Sequence, residues 1–271
     1  MTIKQSVKKI IPAGVWNSAS QTYWQWHNRG RHVFAQKTDP RFPKSQHDLM
    51  AYKDLHKGER CFILGNGPSL NNTDLELVRN EVTFGLNRIY LLFPQVGFQT
   101  NFLVSVNDLV LQQTAKEMAA LNIPKFVTWR ARKWLRKDPN TIFIDSDFTG
   151  PENFSRDATG RIFEGFTVTF VALQLAFFMG FEKIILIGVD HNFTTKGKAN
   201  EAVISQGDDP NHFAANYFGK GFKWQLPDLE GSERAYTLAR EAYQAAGRQV
   251  LDATVGGKLT IFPKVDYNSL F

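Results

Sequence analysis

From about residue 58 onward the chain alternates short apolar runs with helix-patterned stretches, and this rhythm restricts its fold more than any other feature. The apolar runs are Cys61–Leu64, Val82–Leu86, Phe102–Val106, Lys125–Trp129, Ile142–Asp145, Lys183–Val189 and Val250–Asp252. Between them Leu109–Leu121, Thr167–Met179 and Ser232–Ala246 read as helices. Continuous apolar strands are buried on both faces, and strands separated by helices pair in parallel. The expected fold is therefore α/β, a mainly parallel sheet with helices on both faces. Thr73-Asp74-Leu75-Glu76 predicts a capping box in which the Thr73 hydroxyl opens a helix running to about Arg79. Residues 192–230 are polar, aperiodic and rich in Gly, Pro and aromatics, as expected of a functional or mobile loop.

Composition narrows the class. A chain of 271 residues with 43% hydrophobic content can bury one large core, which excludes global disorder. Cys61 is the only cysteine, so an intramolecular disulfide and a thiolate zinc cluster are excluded, and a reducing, cytoplasmic setting is expected. No apolar run reaches the roughly 18 residues of a membrane span, and no secretory signal is read at the N-terminus. The net charge of +6 is concentrated at one end, because residues 1–44 hold eight Lys or Arg and a single acid, Asp39. We therefore divide the chain into a basic, aromatic extension at 1–45 and a folded α/β domain at 46–271. Trp16, Tyr23, Trp24, Trp26 and Phe34 interleave with the cations of the extension. Two readings fit it: a helical arm with solvated charges, or a segment that meets an acidic partner or a membrane headgroup layer. No nucleic-acid motif accompanies the charge, so nucleic acid is not expected as a partner.

Four constellations could carry chemistry. The first is Gly65-Asn66-Gly67-Pro68-Ser69, directly after a predicted strand, where open α/β sheets bind ligands. Its glycines permit close backbone approach, and the following helical turn could offer amides to an anion. It lacks the third glycine of a dinucleotide fingerprint and the lysine of a P-loop, and a plain Gly-Pro turn is the competing reading. The second is a pair of strand ends carrying Asn87 and Asn107, where asparagine also serves as an ordinary loop or cap residue. The third is Thr167 and Thr169 at a helix start, suited either to an anion or to simple capping. The fourth runs from Asp190-His191-Asn192 through Asp208-Asp209-Pro210-Asn211-His212 to Tyr217 and Lys220. A strand-terminal Asp-His pair suits acid/base work, because histidine titrates near neutral pH. An N-capping Asp190 and surface-loop histidines are the bland alternative, and no spacing indicates a zinc site.

These residues together resemble one superfamily. Gly-Asn-Gly-Pro-Ser-Leu at 65–70, Asn87 within Leu-Asn-Arg-Ile-Tyr, and Gly188-Val189-Asp190 are similar to segments of the bacterial family 42 sialyltransferases. The superfamily also includes the motility accessory factors that glycosylate flagellin and the 6-hydroxymethylpterin diphosphokinase-like proteins, which commonly have Gly-Gln-Asp-Leu where this chain has Gly188-Val189-Asp190-His191. The likeness covers roughly residues 45–271, and the stretches 208–221 and 252–259 resemble one bacterial subgroup. It implies a Rossmann-like fold and places Asn66, Gly67, Ser69, Asn87, Thr167 and Thr169 on a cytidine nucleotide. This chain departs from the sialyltransferases in having His191, Asn192 and Phe193 where they carry leaving-group tyrosines. Asn216 stands opposite their catalytic histidine, with His212 four positions earlier.

The expected function is glycosyl transfer from a nucleotide-activated, CMP-linked sugar to a glycan or glycolipid acceptor in surface polysaccharide synthesis. Gly65, Asn66, Gly67, Pro68, Ser69, Asn87, Asn107, Thr167 and Thr169 are expected to bind the nucleotide. His212 or His191, with Asp190, is expected to do the acid/base work, and Tyr217 or Lys220 to steady the leaving phosphate. No metal or other cofactor is expected under this reading. The alternative is ATP-dependent diphosphoryl transfer to a pterin-like alcohol, with Mg²⁺ held by Asp190, Asp208 and Asp209. A non-catalytic nucleotide-binding protein is the third reading. A cytoplasmic enzyme peripheral to the inner face of the membrane fits the basic extension, and association with further copies of the chain stays open.

Overall fold

The computed structural model describes residues 33–136, 138–148, 153–195 and 197–271. Most of the basic and aromatic extension, including Lys4, Lys8, Trp16, Trp24 and Arg31, lies outside the described residues. The chain divides into a unit ending at Lys44 and a larger unit, Ser45–Phe271. In the first, Phe34 is exposed and Asp39 pairs with Arg41 at 2.6 Å.

Helix α1 (Arg41–Met50) precedes an eight-stranded sheet. Its strands are β1 (Arg60–Leu64), β2 (Thr83–Leu86), β3 (Phe102–Ser105), β4 (Lys125–Thr128), β5 (Thr141–Asp147), β6 (Arg161–Phe163), β7 (Lys183–Ile187) and, after a two-stranded insert, β10 (Gln249–Asp252). They lie in the order β10-β7-β1-β2-β3-β4-β5-β6, and every pairing is parallel. The chain walks outward from β1 to β6 and then returns to place β7 on the other side of β1. The strand order therefore reverses between β1 and β7, the position at which open α/β sheets form a ligand crevice at their carboxyl ends.

Helix α2 (Asp108–Ala119) joins β3 to β4, and α3 (Val168–Phe178) joins β6 to β7. Helix α4 (Leu229–Ala245) precedes β10. Every residue of α3 from Thr169 to Phe178 is buried, because the helix lies against β1, β2 and β3 on one side and α4 on the other. A helix with such neighbours must be apolar all round, which is why its sequence shows no polar face. Burial of side chains such as Phe170 and Leu173 stabilises the fold by roughly 1.5–3 kcal/mol each. Gln174 is the polar exception: its amide satisfies the backbone of Ser155 and Phe163, tying the approach to β6 onto α3.

The predicted capping box is corrected. Asp74, not Thr73, accepts the amide of Glu76, and only a 3-10 turn over Leu75–Val78 follows. The Thr73 hydroxyl instead donates to the carbonyl of Ser69, 2.9 Å away. The aperiodic 192–230 stretch holds a small antiparallel pair, β8 (Ala202–Ile204) and β9 (Lys223–Gln225).

Candidate functional site

The turn after β1 and the turn after β7 are fastened to each other across the strand-order reversal. Gly65 donates its amide to Ile187 O at 2.8 Å, and Gly67 donates to Gly188 O at 2.9 Å. Ser69 donates its amide to Asp190 Oδ1 at 3.2 Å and its hydroxyl to Asp190 Oδ2 at 2.6 Å. A methyl group on Gly65 would stand 2.2 Å from Gly188 O, and one on Gly67 would stand 1.7 Å from Asp190 Oδ2. The glycines are thus required by contact between two strand ends. The amides of Gly65, Gly67 and Ser69 are engaged within the protein, and of these only Ser69 belongs to the helical turn expected to face an anion.

Asn66 is the member of this turn whose side-chain acceptor is left unsatisfied. Its peptide oxygen accepts from Phe213 N at 2.9 Å, while its side-chain Oδ1 is buried with no partner among the described residues. A buried acceptor without a donor is costly, by about 1–3 kcal/mol, unless water or another donor group reaches it. Asn87, at the end of β2, holds φ +48° and accepts from the Ser105 hydroxyl at 2.9 Å. Asn107 caps α2, accepting from Leu109 and Val110. Thr167 caps α3 and shares a 3.3 Å hydrogen bond with the buried Tyr236 hydroxyl.

Asp190 is fixed by Ser69, so its carboxylate acts as a fastener. Burial pushes its carboxyl up from the ordinary 3.8, against the pull of the Ser69 hydrogen bonds. A carboxyl raised in the folded state stabilises the fold while protonated, and that contribution is lost as pH rises through the raised value. The stability advantage of wild type over Asp190→Asn is therefore expected to shrink as pH climbs from about 4 towards neutrality. Urea midpoints measured across this range check it, and a growing advantage would contradict it.

The two candidate histidines have different surroundings. His191, at φ +53°, turns Nε2 onto Glu233 Oε1 at 2.9 Å and sets its ring beside Tyr236, in the corner capped by Thr167. His212 stacks on Tyr217 with ring centroids 4.0 Å apart and an interplanar angle of 4°. Its Nδ1 lies 2.7 Å from Oδ2 of the buried Asp209. The insert carrying it is anchored over three strand ends. It reaches Asn66 through Phe213, Arg88 through Tyr217, and Asn107 through Gln225 at 3.4 Å. Tyr217 is 1% exposed with its phenolic oxygen on the Arg88 amide, so it supports His212 from below. Lys220 is exposed on the same loop.

Asp190, Asp208 and Asp209 do not gather. Among the described residues no three His, Cys, Asp or Glu side chains come together as a metal site. Arg130, absent from the sequence-based candidates, ties the carboxyl ends of β3 to β6 together. It pairs with Asp108 at 3.0 Å and Glu164 at 2.8 Å, and it donates to Val106 O and Ser146 O. An isolated arginine after a strand gives no sequence signal for such a role. A cleft of about 800 Å³ opens beyond β10, lined by Asn72, Thr254, Lys264 and Tyr267 among others, and does not include Asn66, Asn87 or His212.

The parallel sheet and its reversal point define a Rossmann-like α/β protein, with a candidate site at the carboxyl edge. The chain belongs to the 6-hydroxymethylpterin diphosphokinase MptE-like family, whose pattern it matches over residues 41–196. Among solved structures it is similar to the MAf glycosyltransferase from Magnetospirillum magneticum AMB-1, at 16% identity and a TM-score of 0.50. That likeness covers 84% of this chain but 39% of the other, and at this identity it speaks for the fold alone. No curated protein matches the sequence.

Proposed function

We propose that the chain is a transferase that takes a nucleotide-activated sugar, CMP-linked by preference, and passes its glycosyl group to a hydroxyl of a glycan or glycolipid. The arrangement of His212 carries this reading. It is an imidazole fixed through one nitrogen by a buried carboxylate, and it lies over the ends of the strands that present Asn66 and Asn87. His212 Nε2 removes the acceptor proton, and the acceptor oxygen bonds to the anomeric carbon. The bond from that carbon to the phosphate oxygen breaks, and the nucleotide leaves with the electron pair. Asn66 Oδ1 suits a ribose hydroxyl or a base amino group, since an acceptor repels phosphate oxygen. Lys220, exposed on the insert, is the side chain we assign to offset the charge of the leaving phosphate, since the Tyr217 phenol is turned inward.

The name of the matched family supports a second reading, diphosphoryl transfer from ATP to a pterin-like alcohol. That chemistry relies on Mg²⁺, and the three aspartates expected to hold it are apart, with two engaged elsewhere. The basic and aromatic extension supports a place for the enzyme at the inner face of the membrane, where lipid-linked acceptors are met.

Ligand-induced stabilisation separates the readings. At about 100 times its Kd, a ligand adds about 2.7 kcal/mol, which raises the melting temperature by several degrees in a chain of this size. CMP or CDP is expected to produce this shift in EDTA, and ATP is not. A shift that needs both ATP and Mg²⁺ selects diphosphoryl transfer, and the absence of any nucleotide-dependent shift removes the nucleotide site itself.

A further inference from the structure

We infer that Asp209 is the positioning residue that makes His212 a base, by holding hydrogen on Nδ1 so that the lone pair is on Nε2. The identity of the proton donor rests on the glycosyl-transfer reading; the state of the imidazole does not.

The geometry is specific. Asp209 Oδ2 accepts at 2.7 Å from His212 Nδ1, with the Asp209 side chain 3% exposed and that of His212 12% exposed. The carboxylate is itself held in place, because Oδ1 accepts from Asn211 N at 3.0 Å and the Asp209 amide donates to Ala215 O at 2.8 Å. An ionised carboxylate can only accept, so the shared hydrogen belongs to the imidazole, and neutral His212 is then bare at Nε2. Nε2 has no hydrogen-bond partner among the described residues, nor is it among the atoms sealed from solvent.

Aromatic packing removes the remaining freedom of the ring. Tyr217 stacks flat on one face, and Phe218 meets the ring edge-on at 4.9 Å. Trp224 and Phe193 stand at 6.5 Å and 6.3 Å. Tyr217 is in turn fixed by Arg88, which donates its amide to the phenol and its guanidinium to the Tyr217 carbonyl. Arg88 is anchored on Glu117 at 3.2 Å. A histidine serving only as filler among aromatic rings needs no buried acid behind it. An acid on Nδ1 both selects the tautomer and stabilises the imidazolium formed once a proton is taken, as in serine-protease triads.

The test is spectroscopic and uses the intact chain. Long-range proton–nitrogen spectra of uniformly ¹⁵N-labelled protein, with His212 assigned through His212→Gln, report which ring nitrogen is bare. Wild type is expected to show the Nδ1–H form. In Asp209→Asn the carboxamide can donate to Nδ1, so the bare-Nε2 signal is expected to be lost in favour of Nε2–H. An Nε2–H tautomer in wild type overturns the inference even if Asp209→Asn does not fold, and so does an unchanged tautomer in a folded Asp209→Asn. If the tautomer behaves as expected but no sugar transfer is found, the inference stands and the glycosyl-transfer reading falls.

Discussion

Gly65→Ala is expected to destabilise the protein by about 3 kcal/mol, the upper end for forcing one carbon into a packed site. The added atom would sit 2.2 Å from the carbonyl oxygen of Gly188 and 2.6 Å from its carbon. Both belong to the main chain of a central strand's exit turn and cannot rotate away as a side chain can. Relief requires β1 and β7 to separate, which breaks the Gly65–Ile187 and Gly67–Gly188 hydrogen bonds and displaces Asp190 from Ser69. Urea denaturation measures the effect as a lower midpoint at unchanged slope. Gly207→Ala is the control, because a methyl group there meets nothing within 4 Å, and its effect is expected to stay within about 0.5 kcal/mol. Equal midpoints for the two variants would show that the contact between the turns is soft.

His212→Gln is expected to reduce turnover by about 10²- to 10⁴-fold, the usual contribution of a positioned general base. Glutamine retains a group that can donate to Asp209 and fills much of the space beside Tyr217, so nucleotide-induced stabilisation should persist while turnover is lost. The equivalent change at His191 is expected to be milder, because its Nε2 is already committed to Glu233. Turnover at the wild-type rate in His212→Gln would place the base elsewhere.

The central sheet was readable because its strands are buried on both faces, so Cys61–Leu64 and residues 184–187 appear as unbroken apolar runs. Strand β6 escaped notice: it is three residues long, begins with Arg161, and pairs only at the edge of the sheet with β5. The β8–β9 pair was hidden for a similar reason, since exposed residues flank one inward residue, Trp224, and leave too short a pattern to count. Asn66 and Asn87 stood out through their places at strand ends. What they do there did not, because hydrogen bonds such as Ser69 to Asp190 join residues 121 positions apart. Asp209 and His212 are only three residues apart, yet spacing alone does not distinguish a buried carboxylate from the exposed Asp208 beside it.

The family match ends at residue 196, and the insert carrying Asp209, His212 and Tyr217 begins just beyond it. This insert rests on the strand ends through hydrogen bonds and contributes no strand to the main sheet. Sheet and insert are therefore separable parts of the fold. Substitutions confined to the insert are expected to leave the strand pairing of the main sheet in place. Grafting this insert onto a protein that shares the turn after β1 would show directly whether the two parts fold independently of each other.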